Sequence, residues 1–419
     1  MRKMKDSGIE WIGEIPEGWE VGQIGQLYSE RRTKVSDKDY PPLSVTMKGI
    51  LPQLNTAAKT DAHDDRKLVC KGDFAINSRS DRRGSCGISE QDGSISLINT
   101  VLQPRGEMNP GYYNWLFHTS MFADEFYKWG HGIVDDLWTT GWSDMKKIGV
   151  PVPSKCEQKQ LAEHLNFECS NIDTILSKTR SSIEEYKKLK QAVITQAVTK
   201  GVRGEREMKD SGVAWIGEIP EEWNKCKLKN ISIDIGDGLH GTPKFDDSGE
   251  VYFINGNNFS SEYVEPKFDT KKLCLEESLN YPKPELTEQT IMISLNGSYG
   301  KVCLYRYFPM LLGKSAGYIT LLPSINRRYV RYYLSSTPAQ TIMTLSLNGT
   351  TIPNLSLNTL YNFPTILPSA SEQAEIADYL DAKCAEVDGL IAKKEQLVKE
   401  LESYKKSLIY EVVTGKREV

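Results

Sequence analysis

The chain of 419 residues contains one segment twice. Residues 4–20 read MKDSGIEWIGEIPEGWE and residues 208–224 read MKDSGVAWIGEIPEEWN, so that 13 of 17 positions are identical at a constant offset of 204. Each copy of an internal repeat folds as a similar structural unit. The duplication therefore constrains the fold more than any other feature of this chain, because it predicts two related halves.

A second pair of repeated segments follows at an offset of 215. Val152-Pro-Ser-Lys-Cys-Glu-Gln aligns with Leu367-Pro-Ser-Ala-Ser-Glu-Gln, and Ala197-Val-Thr aligns with Val412-Val-Thr. The blocks between the repeated segments share little identity, and the change of offset makes the second block longer by 11 residues. Each half is therefore predicted to consist of a shared head, a divergent insert and a shared tail, at residues 1–20, 21–150 and 151–207 and again at residues 208–224, 225–366 and 367–419.

The two tails have the pattern of long helices. Residues 157–199 contain no proline or glycine, and their apolar residues recur at helical spacing. Over residues 372–414 the apolar residues alternate three and four apart, which is the heptad pattern of a coiled coil, interrupted at Lys383 and Lys394. Each helix of about 42 residues would be about 63 Å long. The predicted seam consists of Leu165, Ile172, Ile175, Tyr186, Val193, Leu380, Val387, Leu390, Leu397, Leu401 and Leu408.

Each tail could instead pack on its own insert as an ordinary amphipathic helix. A helix of this length extends beyond one globular unit, and its apolar stripe needs another long helix to cover it. The other tail is such a helix. We therefore expect an α+β fold in which two pseudo-symmetric, mixed α/β domains are separated by two long antiparallel helices.

The composition excludes several classes of protein. The eight cysteines include no C-x-x-C pair, which excludes a zinc finger or disulfide scaffold on spacing. The formal net charge of −4 argues against strong nonspecific binding to polyanions, although the two inserts carry 0 and +2. No apolar run reaches the roughly 18–20 residues of a membrane span, and no signal segment opens the chain. We therefore expect a soluble, cytoplasmic protein.

Several of these segments carry a family resemblance. They are the heads Trp11-Ile-Gly-Glu-Ile-Pro-Glu-Gly-Trp and Trp215-Ile-Gly-Glu-Ile-Pro-Glu-Glu-Trp and the tail openings Pro153-Ser-Lys-Cys-Glu-Gln and Pro368-Ser-Ala-Ser-Glu-Gln. Also included are Gly132-Ile-Val-Asp-Asp-Leu-Trp, Leu347-Asn-Gly-Thr-Thr-Ile-Pro-Asn and the closing Ser403-Tyr-Lys-Lys-Ser-Leu-Ile-Tyr-Glu-Val-Val-Thr-Gly-Lys. In combination they resemble the specificity subunit of type I restriction-modification enzymes, over residues 4–417.

This resemblance implies how the work of a complex is divided. Each insert would be a target-recognition domain that reads one half of a bipartite target in double-stranded DNA. The helical tails would set the gap between the half-sites and dock two methyltransferase subunits and the restriction subunits, which perform adenine methylation or restriction. S-adenosylmethionine, ATP and Mg would bind to those partners, so that this chain would carry no cofactor, metal or catalytic residue.

Motifs for catalysis are incomplete in this chain. Gly313-Lys314-Ser315 resembles the end of a P-loop, but Phe308 stands where the first glycine is required. Asn109-Pro-Gly-Tyr departs from an amino-methyltransferase N-P-P-Y at its third position and is predicted instead to cap a helix over residues 112–129. The five histidines form no pair at metal-ligand spacing. We therefore expect a non-catalytic chain.

Base reading requires side chains with paired donors and acceptors on loops or helices that enter a groove. In the first insert, a cationic loop at residues 77–85 and a turn at residues 44–49 have this character. In the second insert, the loop equivalent by order is residues 294–301, and glycine-rich turns lie at residues 238–244 and 255–258. A solvated turn is the alternative for each. The predicted DNA contacts are Thr46, Lys48, Asn77, Ser78, Arg79, Arg82, Arg83, Thr242, Lys244, Asn257, Asn258, Asn296, Ser298, Tyr299 and Lys301.

Other aromatic segments are assigned to the shared frame. Residues 327–334 read RRYVRYYL and are predicted to form a packed helix, with phosphate contacts at the arginines as an alternative. Trp11, Trp19, Trp215 and Trp223 are predicted to pack the heads against the tails, because residues common to both halves cannot distinguish two half-sites. A scaffold whose inserts bind proteins instead of DNA is the alternative function for the whole chain.

Overall fold

The computed structural model describes residues 2–53, 64–132, 138–347 and 353–419. It divides into two compact units, which are unit 1 (Met1–Arg180 and Glu395–Val419) and unit 2 (Ser181–Lys394). Residues 133–137 and 348–352 lie outside the described residues, and they make up most of two segments that support the family resemblance. Within the described ranges, no helix is long and apolar enough to cross a membrane.

Unit 1 combines short strands with short helices and the first part of a long one. Its strands are β1 (Met4–Asp6), β2 (Glu14–Pro16), β3 (Glu20–Gln23), β4 (Tyr28–Glu30), β5 (Lys34–Val35), β6 (Leu43–Thr46), β7 (Gly49–Pro52), β8 (Arg66–Val69), β9 (Phe74–Asn77), β10 (Cys86–Ile88), β11 (Gly93–Ile95), β12 (Asn99–Pro104) and β13 (Gly149–Val152). Its helices are α1 (Ile24–Leu27), α2 (Pro110–Phe117), α3 (Ser120–Lys128), α4 (Trp142–Met145) and the beginning of α5 (Lys155–Lys200).

The core of unit 1 lies between an antiparallel sheet and two aromatic helices. The main sheet has the strand order β10-β9-β12-β4. Phe117 of α2 packs on Phe74 of β9, with ring centroids 4.9 Å apart. The prediction of one helix over residues 112–129 was wrong, because Thr119 adopts an extended conformation and its hydroxyl accepts from the Phe122 amide at 3.2 Å, which starts α3. Asn109 caps α2, as expected.

Unit 2 contains the corresponding elements of the second half. Its strands are β14 (Met208–Asp210), β15 (Glu218–Pro220), β16 (Asn224–Lys227), β17 (Ser232–Asp237), β18 (Val251–Ile254), β19 (Lys272–Leu273), β20 (Thr290–Ser294), β21 (Val302–Leu304), β22 (Met310–Leu312), β23 (Ala316–Leu321) and β24 (Pro364–Leu367). Its helices are the end of α5, α6 (Leu275–Leu279), α7 (Arg327–Ser335), α8 (Thr337–Leu345), α9 (Leu357–Tyr361) and the part of α10 (Ala370–Val413) that precedes Glu395.

Two sheets carry the insert of unit 2. The antiparallel sheet has the order β17-β23-β20-β21, and a smaller sheet has the order β19-β18-β22. Strands β18 and β22 are parallel, with Ile254 opposite Leu312. In both units, therefore, the strand before a candidate DNA loop, β9 or β20, pairs with the strand after that loop, β10 or β21, in an antiparallel hairpin.

Each insert begins and ends on a pair of neighbouring strands. In unit 1, β3 pairs with β13, with Glu20 opposite Val152. In unit 2, β16 pairs with β24 in the same antiparallel manner, with Asn224 opposite Leu367. The chain thus enters and leaves an insert at adjacent positions. This arrangement allows an insert to change its length and sequence while the shared frame keeps its geometry.

The two long helices predicted for the tails are confirmed as α5 and α10, with 46 and 44 residues. Within each unit the two helices run antiparallel. In unit 1 an ion pair joins Lys405 to Asp173 at 2.6 Å. In unit 2 an ion pair joins Lys190 to Asp388, also at 2.6 Å, and the Lys394 ammonium lies 5.6 Å from the ring centroid of Tyr186.

The seam between α5 and α10 keeps a heptad spacing but differs from the prediction at three positions. Ile175 is 46% exposed, Leu390 36% and Leu397 41%. Their neighbours Leu176, Ile391 and Val398 pack into the cores instead. Two adjacent apolar residues satisfy the sequence pattern equally well, whereas the structure buries the one that keeps the 3.5-residue average. The predicted seam residues that are buried are Leu165, Ile172, Leu380, Val387 and Leu408, and those that are half-buried are Tyr186, Val193 and Leu401.

Lys383, which was predicted to interrupt the seam, is exposed, and Cys384 is buried next to it. Lys394 is half-buried, and its contact with the ring of Tyr186 accommodates its charge. The aliphatic stem of a lysine can cover apolar surface while its ammonium faces a ring or water. Of the two predicted interruptions, only the second lies at the seam.

A carboxylate at the start of each long helix fixes the head of that unit. In unit 1 the Trp19 indole donates to Glu157 at 3.2 Å, and Arg2 forms an ion pair with the same carboxylate. The Arg2 guanidinium also lies 5.6 Å from the ring centroid of Trp19. Burial raises the pKa of Glu157, but the hydrogen bonds that it accepts, led by those from Ser154 and Arg2, outweigh this effect and lower the pKa to about 2.

The same three-residue contact recurs in unit 2. Trp223 donates to Glu372 at 2.9 Å, Arg206 pairs with Glu372 at 2.5 Å, and the guanidinium lies 5.3 Å from the ring centroid of Trp223. Arg206 follows Arg2 by 204 residues, which is the offset of the heads. The repeated head therefore extends to an arginine in front of the segment of obvious identity.

The glutamine after each of these carboxylates holds the insert. Gln158 accepts from the Asn109 amide at 2.9 Å and donates to the Pro153 carbonyl at 2.9 Å. In unit 2, Gln373 accepts from the Asn326 amide at 2.9 Å. Since Asn109 caps α2 and Asn326 caps α7, each tail is joined to the N-terminus of the framework helix in its own insert.

Three of the four predicted frame tryptophans are buried, namely Trp11, Trp19 and Trp223. The prediction was wrong for Trp215, which is 55% exposed. Trp11 packs edge-on against Phe122 of α3 at 5.9 Å between ring centroids. In α8, Ala339 lies as far from the capping Asn326 as Phe122 lies from the capping Asn109. The side chain of alanine is too small to cover a tryptophan.

Glu372→Ala should destabilise unit 2 by about 1–3 kcal/mol, because the substitution leaves the buried Trp223 indole without its acceptor and the half-buried Arg206 guanidinium with Glu222 alone. The matched control is Glu375→Ala, which removes an ion pair with Arg203 in which both side chains are about half exposed. That change should cost about 0–1 kcal/mol. Denaturant unfolding of both variants measures the difference. Equal, small losses would show that the buried carboxylate does not stabilise this unit.

Candidate nucleic-acid interface

The three candidate segments of unit 2 meet around the turn Gly313–Ser315. The Leu239 amide donates to the Leu312 carbonyl at 2.7 Å, so residues 238–244 lie beside this turn. The Gly256 amide donates to the Ser315 hydroxyl at 3.0 Å, and the Leu295 amide donates to the Ser315 carbonyl at 3.0 Å. We call this set of loops the unit 2 face, defined by residues 238–244, 255–258, 294–301 and 313–315.

Glycines allow the backbones of the unit 2 face to approach each other. A Cβ atom at Gly238 would lie 2.3 Å from the Leu312 carbonyl oxygen, and one at Gly256 would lie 2.8 Å from the Ser294 Cβ. A Cβ atom at Gly313 would lie 2.4 Å from the Asn255 Oδ1. No side chain fits at these distances. These three glycines therefore allow close loop packing, and no phosphate-binding role is needed to account for them.

The predicted contacts on the unit 2 face differ in how they are presented. Asn258 is buried, and its amide group donates to Thr270 at 2.8 Å and accepts from the Asn255 amide at 3.0 Å. This side chain stabilises its turn and has no group left to offer a base. Asn296 and Tyr299 are half-buried. The exposed members are Thr242, Lys244, Asn257, Ser298 and Lys301.

The cationic loop of unit 1 has a buried base and an exposed tip. Asn77 accepts from the Arg79 amide at 3.0 Å, and Ser78 bonds Thr100 at 2.9 Å, so these two residues hold the loop. Arg79, Arg82 and Arg83 are exposed. Arg83 donates to Asp124 at 3.3 Å and lies 5.3 Å from the ring centroid of Tyr127.

The second candidate segment of unit 1 lies next to the strand that follows the cationic loop. A Cβ atom at Gly87 of β10 would lie 2.7 Å from the Gly49 Cα in the β6–β7 turn. In this turn the Thr46 hydroxyl donates to the Gly49 carbonyl at 2.9 Å, whereas Lys48 is exposed. The structure therefore brings the two predicted segments of the first insert together. The unit 1 face is defined by residues 46–49 and 77–85.

The arginines of helix α7 serve the frame. Arg328 pairs with Asp378 at 2.7 Å and also bonds Asp381. Arg331 lies 3.9 Å from Glu262 and stacks on Tyr332 with 4.4 Å between the guanidinium carbon and the ring centroid. The alternative of phosphate contacts finds no support at these two residues, because protein carboxylates and a ring already face their charges.

Sequence reasoning missed several exposed side chains on these faces. Met47 in the β6–β7 turn is 72% exposed, and Lys314 is exposed in the turn at the centre of the unit 2 face. In the sequence, Lys314 belongs to an incomplete P-loop motif, and no pattern there indicates that it lies in a turn between two strands. Among the described residues, no group of three or more His, Cys, Asp or Glu side chains is arranged to hold a metal ion.

Comparisons with known proteins agree with this architecture. The family model described as "Type I restriction modification DNA specificity domain" matches residues 220–400. The MjaVIII specificity subunit of a type I restriction enzyme from Methanocaldococcus jannaschii is 26% identical, over 96% of this chain and 93% of that protein. The putative MjaX specificity subunit from the same organism is 25% identical, over 97% of this chain and 95% of that protein.

Solved structures show the same fold. A chain from a study of complex assembly and conformational transition of the type I R-M system superposes with a TM-score of 0.76 at 14% identity, over 96% of this chain and 99% of that chain. The HsdS subunit from Thermoanaerobacter tengcongensis superposes with a TM-score of 0.55 at 15% identity, over 96% and 98%. These findings show that residues 220–400 match the DNA specificity domain of type I restriction-modification systems, that the chain is similar over nearly its whole length to specificity subunits of type I restriction enzymes, and that it has the fold of the HsdS subunit.

Proposed function

We propose that this chain is the sequence-specific DNA-binding subunit of a type I restriction-modification complex and that each insert reads one half of a bipartite target. The observation that carries the proposal is that two equivalent hairpins on one repeated frame carry different exposed side chains. The β9–β10 loop presents Arg79, Arg82 and Arg83, whereas the β20–β21 loop presents Ser298 and Lys301. Different donors on equivalent loops favour different half-sites.

The chemistry of each face suggests how it would read DNA. The arginines of the unit 1 face match the paired acceptors of guanine in the major groove. The unit 2 face offers amide, hydroxyl and ammonium groups, which can pair with several bases or with phosphates. The shared heads and tails would position both faces and would set the gap between the half-sites.

The chemical steps would belong to partner subunits. We expect two methyltransferase subunits and restriction subunits to dock on the shared frame, because two identical partners need equivalent surfaces. S-adenosylmethionine, ATP and Mg would bind to those partners, and this chain would be non-catalytic. The net charge of −4 supports a reader that works inside a complex, since such a chain alone attracts phosphates weakly.

Mapping of adenine methylation in cells tests the proposal directly. Cells with the methyltransferase subunit and this chain should methylate one two-part sequence, and cells with the methyltransferase subunit alone should not. If no two-part motif depends on this chain, the proposal is wrong. Purified complex that then shows no sequence-selective, salt-sensitive binding to a duplex library would favour an interaction scaffold.

Arg82→Ala should relax one half of the target and leave the other half intact. The Arg82 side chain is 66% exposed at the loop tip, and its loss should cost about 1–3 kcal/mol of discrimination at one base pair. Arg105→Ala is the matched control. Arg105 is exposed and follows the end of β12 that is remote from the cationic loop, whereas Asn99 at the other end of β12 pairs with Asn77 at the base of that loop. Comparison of methylated sequences measures both effects. Unchanged specificity in Arg82→Ala, or equal effects of the two variants, would contradict the assignment.

A further inference from the structure

Lys314 occupies the centre of the unit 2 face. The three candidate segments contact its turn from different sides, with the Leu239 and Gly313 backbones forming a bridge and the Asn296 side chain lying 3.5 Å from the Lys314 carbonyl oxygen. The Ser315 hydroxyl, one residue on, donates to the Asn255 side chain at 3.2 Å. A residue of this turn is therefore flanked by all the loops that are predicted to read the second half-site.

The backbone at Lys314 is held rigidly. The Gly313 amide donates to the Ile254 carbonyl at 2.8 Å, and the Ala316 amide donates to the Gly313 carbonyl at 2.8 Å. A Cβ atom at Gly313 would lie 2.4 Å from the Asn255 Oδ1, so the turn packs closely on Asn255. A side chain on such a turn begins from a fixed position and loses little backbone freedom on binding.

The charge of Lys314 has no partner in the part of the chain that the structure describes. Its side chain is exposed and forms no hydrogen bond, ion pair or ring contact there. Two other lysines of the same insert do have such contacts: Lys271 lies 4.6 Å from the ring centroid of Phe245, and Lys272 lies 5.2 Å from that of Tyr252. An exposed ammonium group without a protein partner, in the middle of a set of reading loops, is free to donate to an acceptor from outside the chain.

The geometry points to Lys314 as a specificity-determining residue that donates to the O6 and N7 atoms of a guanine in the half-site read by unit 2, an assignment that rests on the proposed function. The acceptor is assigned to a base because phosphates border a groove, whereas the centre of an inserted loop cluster faces the base edges. Guanine presents two adjacent acceptors in the major groove, which suit a lysine donor.

The test is enrichment of a randomised DNA duplex library by the complex of this chain with its methyltransferase partner. The variants are Lys314→Ala, Lys314→Arg and the control Lys229→Ala. Lys229 is exposed and lies just before Ser232, at the end of β17 that is remote from residues 238–244 of the unit 2 face. Lys314→Ala should lower the preference for guanine at one position of one half-site by about ten- to a hundredfold, with the other half-site unchanged. Lys314→Arg should keep the guanine, because arginine pairs with the same two acceptors.

Other outcomes overturn the assignment. Uniform weakening of all sequences by Lys314→Ala, with a shallower dependence on salt, would identify a phosphate contact. A profile of Lys314→Ala that equals those of the wild type and Lys229→Ala would leave Lys314 without a role in binding. A wild-type complex that enriches no two-part sequence would overturn the proposed function itself, which distinguishes that failure from a failure of this inference.

Discussion

A carboxylate at the start of each long helix, half-buried in unit 1 and buried in unit 2, is the interaction on which each unit depends. Glu157 and Glu372 each accept from the second tryptophan of the head and from an arginine that also covers the ring of that tryptophan. Removal of the carboxylate leaves the indole of a buried tryptophan without its acceptor, which costs more than the loss of an exposed ion pair. The next residue, a glutamine, extends the contact to the framework helix of the insert. Two adjacent residues of each tail thus join head, tail and insert.

This frame separates stability from specificity. Each insert is closed by a pair of antiparallel strands at its base, while the exposed side chains are carried on hairpin loops. In unit 2 the loops pack through glycines, so their backbones are fixed by contacts that involve no base-reading group. Exposed residues such as Asn257 and Ser298 can therefore be exchanged at small cost to folding. Such an arrangement suits a protein whose two halves keep one architecture and read different sequences.

Much of the architecture could be predicted from the sequence, because repeats and long helical patterns are strong signals. The offsets of 204 and 215 predicted two related units, and the heptad pattern predicted two long antiparallel helices. The seam register was partly wrong, because Leu390 and Ile391 both fit an apolar stripe and only packing distinguishes them. The burial of Asn258 could not be predicted, since its partner Thr270 lies 12 residues away in a loop with no periodicity. The exposure of Trp215 could not be predicted either, because the identity of the two heads does not show that Trp11 packs on Phe122, whereas Ala339 stands at the equivalent position of the second insert.

The central claim is that two inserts read DNA independently while a common frame sets their spacing. Measurement of the gap between the two methylated half-sites tests this claim most directly. Insertion of one heptad into both α5 and α10 lengthens the helical pair by about 10.5 Å, which corresponds to about three base pairs of B-DNA. The methylated sequence should then keep both half-sites and gain about three base pairs between them. An unchanged gap, or altered bases in both half-sites, would contradict the separation of spacing from recognition.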